Sequence, residues 1–350
     1  MRIALTVDPE IEVPPIHYGG IERIADMLAR NLQQRGHEVT LFANPDSACP
    51  VEVVGWPGRS SVAYTDTIRN ASTLASHLGR KGFDIVHSFS RLAYLAPFLP
   101  LRIAKLMSYG REISPRTTGM AFHLSGGTLE FTAVSKSMLE RNKLPGIWHL
   151  VPNCVPIETY TFRQHVFSDA PLIFLGRIEE IKGPHLAIEV ARASGRPLII
   201  AGNVPQEHRS WFEAHVAPHL RSDDIRYAGP VDDQQKNELL GQASALLMPI
   251  LWEEPFGMVM AEAMACGTPV IGLRRGAVPE VVDDGLTGFV CESADEMAAA
   301  VSRLGEIDRA ACRTRVEKFY SDASVTERYL EIYGQMLARR MRDSSLKMAG

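Results

Sequence analysis

Two glutamates eight positions apart, Glu254 and Glu262, lie in the stretch WEEPFGMVMAEAMACGTPVIG. The apolar run at 245–250 predicts a buried strand, and a helical pattern then starts after Gly257 and stops at Gly267. A helix that opens behind a glycine turn offers unpaired amides and a positive dipole end, which favour anions and hydroxyl oxygens. The two carboxylates could therefore hold two different polyols. The alternative is that Glu254 only caps the helix and Glu262 is solvated, and either glutamate alone would be unremarkable.

Two cations, Arg177 and Lys182, follow the apolar segment LIFL and precede Gly183, where a further helical pattern begins. The pattern predicts a strand, a loop and a helix, and ligands of such units bind at the carboxyl end of the strand. An arginine fork and a lysine ammonium can hold a diphosphate and offset the charge that grows on it as it leaves. The alternative is that both are solvated surface cations.

The amino-terminal sequence predicts a strand at 2–7, a helix over 21–32 and a second strand at 39–43. This order is typical of a doubly wound nucleotide-type domain. Gly19 and Gly20 stand at the helix start, where bare backbone can approach a phosphate, although a glycine pair is also compatible with a simple tight turn. The loop has no G-x-G-x-x-G pattern, so the sequence does not predict a nicotinamide or flavin site.

The length of 350 residues favours two domains. We predict an α/β protein with an amino-terminal domain over residues 1–158, a carboxyl-terminal domain over 170–322, and a terminal helix over 323–350 that packs back on the first domain. The polar, irregular segment 160–170 is interpreted as the linker between the domains. Ser324 with Glu327 three positions on predicts a capping box at the start of the terminal helix.

The composition, with 45% hydrophobic and 22% charged residues, is that of a soluble globular protein. A net charge of -4 gives no general attraction to nucleic acid. The five cysteines form no C-x-x-C pair, which argues against a zinc site or a disulfide framework and favours the cytoplasm. The apolar windows are too short for a spanning helix. Three arginines near the end could contact anionic lipid weakly or form a solvated face: Arg339, Arg340 and Arg342.

The segments EPFGMVMAEAMACGTPVIG and GAVPE resemble the donor-site signature of the retaining, nucleotide-sugar-dependent glycosyltransferases of family four. GRIEEIKG is similar to the pyrophosphate-binding signature of that family, and LVPNCVP resembles the segment that closes its first domain. The resemblance covers nearly the whole chain. It implies the GT-B fold, in which two doubly wound Rossmann-like domains face each other across a cleft.

The resemblance also implies roles for individual residues. Glu254 would lie at the donor sugar and Glu262 at the ribose of the nucleotide, while Arg177 and Lys182 would bind the pyrophosphate. The remaining donor-binding residues implied by the resemblance are Gly19, Gly20, Phe256, Gly257, Met258 and Val259.

Members of the family often carry a histidine near the donor sugar, soon after the strand that corresponds to residues 104–108. This chain reads SYGREISP there and has no histidine. We assign the role to His123, with His87 as the other candidate, and either Arg111 or Glu112 could line the same region.

The resemblance implies an enzyme that transfers a sugar from a nucleotide-diphosphate sugar to a hydroxyl of a glycan, a lipid or a small molecule, with retention of configuration. It implies no cofactor and no metal ion. The sequence leaves two alternatives, a nucleotide-sugar epimerase of GT-B fold and a non-catalytic nucleotide-sugar-binding protein. It names neither the donor base and sugar, nor the acceptor, nor the oligomeric state.

Overall fold

The computed structural model describes residues 1–16, 19–141, 144–220 and 224–349, and the side chains of the last helix as far as residue 342. The chain divides into two compact units. The first comprises residues 1–153 together with the chain from 322 onward, and the second comprises residues 154–321. Each unit is built on one parallel sheet with helices, which confirms the predicted α/β class.

The first unit contains a seven-stranded parallel sheet in the order β3-β2-β1-β4-β5-β6-β7. The inner strands are apolar and buried along nearly their whole length, as expected where helices cover both faces of a parallel sheet. The strand order reverses between β1 and β4, which makes their carboxyl ends a topological switch point. The strands are β1 (Arg2–Thr6), β2 (Glu38–Ala43), β3 (Glu52–Gly55), β4 (Ile85–Ser88), β5 (Ala104–Tyr109), β6 (Leu129–Ala133) and β7 (Trp148–Leu150).

Within the described part of the first unit, four α-helices lie between these strands, and α1 shows how the sequence selects its buried face. Ile24, Leu28 and Leu32 recur at helical spacing and are all buried. A short 3-10 helix at Leu92–Phe98 lies between β4 and β5. The helices are α1 (Gly20–Gln34), α2 (Tyr64–Lys81), α3 (Pro115–Leu124) and α4 (Lys136–Glu140).

The second unit contains a six-stranded parallel sheet in the order β10-β9-β8-β11-β12-β13. Its strand order reverses between β8 and β11, so the loops after these two strands flank the switch point of this unit. The strands are β8 (Leu172–Leu175), β9 (Leu198–Ala201), β10 (Ile225–Gly229), β11 (Ala245–Met248), β12 (Val270–Leu273) and β13 (Gly288–Cys291).

Among the residues described for the second unit, seven α-helices accompany the sheet. The helix that starts at Asp233 opens with a capping box, in which the Asp232 carboxylate accepts from the Gln235 amide at 2.8 Å and the Gln235 side chain accepts in return from the Asp232 amide at 3.1 Å. The helices are α5 (Pro184–Ser194), α6 (Arg209–His215), α7 (Asp233–Gln242), α8 (Met258–Ala265), α9 (Val278–Val281), α10 (Ala294–Val301) and α11 (Arg309–Phe319).

The terminal helix α12 (Asp322–Ala349) belongs to the first unit. It begins two residues before Ser324, so the predicted capping box at Ser324 and Glu327 is wrong. The Glu327 carboxylate instead accepts from the Arg35 guanidinium of α1 at 2.8 Å. Within the described ranges, no helix has both the length and the apolar character needed to cross a membrane.

Polar side chains are buried where α12 meets the sheet of the first unit. His87 of β4 is fully buried, with its Nδ1 2.6 Å from the Tyr333 hydroxyl and its Nε2 2.7 Å from the Ser108 hydroxyl. Burial lowers the pKa of His87 to about 3. The interactions of this histidine are those of a structural residue held neutral inside the fold.

This buried histidine should make the first unit sensitive to acid. The folded state holds His87 neutral, whereas the unfolded chain binds a proton near the ordinary pKa of 6.5, so stability is lost as the pH falls from 6.5 toward 3. Linkage puts this loss at about 2 kcal/mol between pH 7 and pH 5. Urea unfolding at the two pH values should show that His87→Gln loses less stability on acidification than the wild type.

The matched control for that experiment is His123→Gln, since His123 is an exposed histidine of the same unit. This variant should follow the wild type. An equal pH effect in the wild type and in His87→Gln would contradict the assignment.

Candidate functional site

The carboxyl ends of β8 and β11 bring two of the predicted residues into contact. Lys182 lies in a 3-10 turn, Glu180–Lys182, after β8, and Glu254 lies in the loop after β11. The Lys182 ammonium forms an ion pair with Glu254 Oε2, and both side chains are largely buried. The Trp252 indole donates to the same oxygen at 2.9 Å, and the lysine ammonium lies 4.9 Å from the centre of the indole ring. Sequence reasoning found the two charges but missed Trp252.

Backbone contacts fix the two loops against each other. The amide of Leu251 donates to the Ile181 carbonyl at 2.8 Å. Gly183 has a φ of 74°, and a Cβ there would lie 2.1 Å from the Pro249 carbonyl oxygen. Only glycine fits this position, since both the conformation and the space exclude a side chain. The Lys182–Glu254 pair is therefore held by main chain on both sides.

The loop after β12 supports Glu254 in the same way. The Glu254 carbonyl accepts from the Ala277 amide at 2.9 Å, and the Glu253 carboxylate accepts from the Gly276 amide at 2.8 Å. A Cβ on Gly276 would lie 2.3 Å from the Glu254 carbonyl oxygen. Loops after three neighbouring strands therefore converge on one glutamate.

Arg177 lies in the same loop as Lys182 and pairs with a different carboxylate. Its guanidinium is 2.9 Å from Glu179 Oε1, and 44% of its side chain is exposed. Glu179 is buried and also lies 3.4 Å from His208 Nε2. Arg177 is thus oriented by a buried partner while its charged end keeps access to solvent.

Helix α8 opens beside this group. Gly257 caps it with a φ of 73°, and Met258 is its first residue. The first amides of a helix have no partners within the helix and carry the positive dipole end. The Phe256 ring is buried and packs at 70° against Tyr320, with ring centres 5.5 Å apart. The side chain of Phe256 therefore lies in the core, and Gly257, Met258 and Val259 form the start of α8 next to Glu254.

Glu262 occupies a separate polar cluster on the inner side of α8. Its Oε1 accepts from the Tyr160 hydroxyl at 2.9 Å and from the Lys236 ammonium of α7 at 2.7 Å. Lys236 also lies 3.2 Å from the Asp233 carboxylate. Burial opposes the charged form of Lys236, but Glu262 and Asp233 outweigh it and raise the pKa of this lysine. Burial, with Glu262 second, raises the pKa of Tyr160 as well.

The position of Tyr160 corrects the interpretation of residues 160–170 as an interdomain linker. Tyr160 is buried beside Glu262, and the Arg163 amide donates to the Cys266 carbonyl at 3.0 Å, so this segment is part of the second unit. Neither Tyr160 nor Lys236 was singled out by the sequence. The irregular spacing around Tyr160 carries no period that would have marked it as buried.

In the first unit, Gly19 and Gly20 lie at the amino end of α1, beyond the carboxyl end of β1. A Cβ on Gly19 would lie 2.7 Å from Pro15 Cβ, so close packing requires this glycine. The neighbouring residues 17 and 18 of the predicted phosphate loop lie outside the described parts. Glu22, in the first turn of α1, is buried, and burial raises the pKa of its carboxyl.

The same edge of the first sheet carries Asp8, which sequence reasoning missed. Its carboxylate lies 3.2 Å from the Arg111 guanidinium and accepts from the Arg91 amide at 3.2 Å. Burial raises the pKa of Asp8, and Arg111 partly offsets the effect. These residues follow β1, β4 and β5, three adjacent strands whose carboxyl ends meet at this edge.

His123 is not brought to this edge. It is exposed in the last turn of α3, and Thr128, which follows that helix, accepts from the Lys105 amide at 2.8 Å at the start of β5. His123 therefore lies near the amino ends of the strands, away from Gly19 and Gly20. His87, the other candidate, is enclosed in the core. Neither histidine has the position that the resemblance implies.

Two family models match the chain. The model of the glycosyl transferases group 1 matches residues 161–318, and the model of glycosyltransferase family 4 matches residues 18–109. The first model covers nearly all of the second unit, and the second model covers about half of the first unit.

Individual proteins are similar over nearly the whole chain. A phosphatidyl-myo-inositol mannosyltransferase of Mycolicibacterium smegmatis is 26% identical, over 88% of this chain and 86% of its own. AviGT4, a glycosyltransferase involved in avilamycin A biosynthesis, has a structure that is 24% identical with a TM-score of 0.73, over 96% of this chain and 98% of its own. The Anabaena protein HepE, solved in complex with UDP-glucose, is 16% identical with a TM-score of 0.72, over 96% and 100%. The two family models together match more than half of the chain and show that it belongs to the glycosyltransferases of family four, and the solved structures with the two parallel sheets show that it has the GT-B fold.

Proposed function

We propose that this glycosyltransferase takes a sugar from a nucleotide-diphosphate donor and transfers it to a hydroxyl acceptor with retention of configuration, without a metal ion or other cofactor. The observation that carries the proposal is the Lys182–Glu254 pair beside the amino end of α8, at the switch point of the second sheet. In this arrangement the cation matches the diphosphate of such a donor, and the carboxylate matches the hydroxyls of its sugar. The helix amides can bind the remaining phosphate oxygens.

In this mechanism Arg177 and Lys182 stabilise the charge that develops on the departing diphosphate. Preorganised donors of this kind act most strongly where charge grows in the transition state. Two protein cations would take the part that a metal ion plays in other phosphate chemistry. The HepE structure in complex with UDP-glucose supports a nucleotide sugar as the donor, because it shows a relative of the same fold with that class of ligand.

Glu254 is assigned to the sugar hydroxyls and not to nucleophilic attack. Lys182 and Trp252 both engage its Oε2, which holds the carboxylate as a fixed acceptor. By analogy with the family, the leaving phosphate helps to deprotonate the acceptor hydroxyl. Glu262 is proposed for the ribose, and Gly19 with Gly20 for the donor phosphates. The odd number of cysteines, all of them buried, supports action in a reducing compartment such as the cytoplasm.

Thermal unfolding with a panel of nucleotide sugars and free nucleotides tests the proposal. A ligand at a hundred times its Kd stabilises the native state by about 2.7 kcal/mol. One diphospho-sugar and its nucleoside diphosphate should raise the Tm in the presence of a chelator. If no nucleotide shifts the Tm, the donor assignment loses its support. Incubating that sugar nucleotide without an acceptor distinguishes a transferase from an epimerase, because only an epimerase would convert it into the epimeric sugar nucleotide.

Arg177→Ala should lower kcat by about a hundredfold, because one preorganised donor to the diphosphate is lost. The cost to folding should be about 1 to 2 kcal/mol, since the guanidinium is nearly half exposed but the buried Glu179 would keep only His208 as an ion-pair partner among the described residues. Steady-state kinetics and urea unfolding measure the two effects.

The control for Arg177→Ala is Arg303→Ala, which removes an exposed arginine paired with Glu306 in the same unit. This variant should retain the turnover of the wild type. Unchanged turnover in Arg177→Ala would remove that residue from the mechanism.

A further inference from the structure

A cavity of about 240 Å³ lies in the first unit, at the end of the sheet opposite Gly19 and Gly20. Its walls come from the segment before β5, the turn between α3 and β6, and helix α12. The volume is several times the roughly 30 Å³ that one water molecule occupies in the liquid. The cavity is thus large enough for a small polyatomic group with its hydration.

Positive charge dominates the lining of this cavity. Arg102, Arg339 and Arg340 all contribute to it, and Glu130 is the one carboxylate among the lining residues. That carboxylate is already engaged, because both of its oxygens lie 2.6 Å from the Arg339 guanidinium and one also lies 2.6 Å from His149 Nε2. The arginines therefore outnumber the acid that faces them.

The Nε of Arg339, one of the lining residues, is buried without a hydrogen-bond partner among the described residues. An unpaired buried donor costs free energy, and a negative charge bound nearby would stabilise this guanidinium. The backbone of the turn between α3 and β6 faces open space on another wall of the cavity, because a Cβ on Gly126 or Gly127 would meet nothing within 4 Å. The cavity thus combines a cationic lining with open space beside the turn.

A fully buried lysine lies next to this lining. Lys105 donates to the carbonyl of Leu101, which lines the cavity, at 2.7 Å, and to the Ile103 carbonyl at 2.9 Å. Burial, and secondly the charge of Arg340, lower the pKa of Lys105 to about 8. An anion in the cavity would relieve this repulsion between cations.

We propose that the cavity formed around Arg102, Arg339 and Arg340 is a binding site for a phosphate monoester, carried either by a small soluble metabolite or by a lipid headgroup. Arginine forks match phosphate oxygens in geometry and charge. The site is separate from the proposed donor residues, because Arg177, Lys182, Glu254 and Glu262 lie in the second unit, and Gly19 and Gly20 lie at the opposite end of the first sheet. It also gives a specific role to two of the three terminal arginines and leaves Arg342, which is exposed and does not line the cavity, outside it.

Calorimetric titration at constant ionic strength tests the proposal, with inorganic phosphate and glycerol 3-phosphate as probes. Arg340→Gln removes one cavity cation, and Arg342→Gln removes the same charge from the same helix two residues away. Arg339 is left unchanged because it compensates buried Glu130. Arg340→Gln should weaken binding by about tenfold, and Arg342→Gln by less than about twofold. Equal effects of the two variants would show unspecific attraction and would overturn the proposal.

Two further arms complete the test. Loss of phosphate binding in Arg177→Ala but not in Arg340→Gln would place the anion at the donor residues and would also overturn it. Vesicles of phosphatidylcholine with and without phosphatidic acid separate the two sources. Binding of glycerol 3-phosphate in solution supports a soluble ligand, and binding only to phosphatidic acid vesicles, weakened by Arg340→Gln, supports a lipid headgroup. Binding in neither arm would refute the site.

Discussion

Lys182→Met should lower kcat by about 10²- to 10³-fold, the loss typical of removing one preorganised donor from a developing negative charge. Methionine keeps much of the length and apolar contact of the lysine stem and removes only the ammonium. Glu254 would keep its hydrogen bond from Trp252, so the carboxylate stays in place while the charge opposite the diphosphate is lost. Steady-state kinetics with the donor identified by thermal shift measure the effect.

Two matched variants separate the role of Lys182 from general damage. Lys318→Met removes an exposed lysine of α11 and should leave kcat unchanged. Lys182→Arg retains the charge with a different geometry and should restore part of the activity. A Lys182→Met enzyme with wild-type kcat would exclude this lysine from leaving-group stabilisation.

Glu262→Gln should lower the free energy of unfolding by about 3 kcal/mol, because it leaves the largely buried Lys236 without its main counter-charge. The same change should weaken donor binding by roughly tenfold if Glu262 accepts from the ribose, since hydrogen bonds to charged groups contribute more than neutral ones. Urea unfolding and the KM for the donor measure the two effects independently.

A double-mutant cycle with Lys236→Met distinguishes the contributions. Removing both charges should cost less than the sum of the single changes, since no uncompensated ion is left behind. Donor binding should stay weak in the double variant even where stability returns. If the changes in the free energy of unfolding of the two single variants add up to that of the double variant, the 2.7 Å contact between Lys236 and Glu262 has no coupling energy.

The central strands were predictable because each is a short apolar run with a clear boundary. β1, β8 and β11 were recognised from this pattern, and the helix starting at Met258 was placed correctly. Edge strands carry a weaker signal. β3 and β7 are half-exposed and only a few residues long, so their sequences have no continuous apolar pattern.

Helix α11 escaped prediction for a different reason. Its sequence RAACRTRVEKF is mostly polar, and it is held in place by buried arginine contacts. Arg309 donates to the carbonyls of Arg163, Ala243 and Gly241 at 2.7 to 3.1 Å. Interactions of this kind join residues far apart in the chain, so no periodic pattern in the local sequence predicts them.

The chemical residues were easier to find than their partners. Glu254, Glu262 and Lys182 stand out because their spacing relative to glycines and apolar runs is regular. Trp252 and Tyr160 became meaningful only once the fold placed them beside those carboxylates. His123 shows the opposite case, in which a residue type suited to the role lies at the other end of the sheet.

The first unit is built from two separate stretches of the chain, and this affects the order in which the protein can fold during synthesis. Helix α12 follows the whole second unit in the chain, so the ribosome delivers Tyr333 some time after His87, 246 residues later. Until that helix arrives, His87 and Ser108 have no hydroxyl from α12 to enclose them. The second unit is contiguous and can fold before α12 is synthesised, while the core of the first unit is completed only when α12 has emerged.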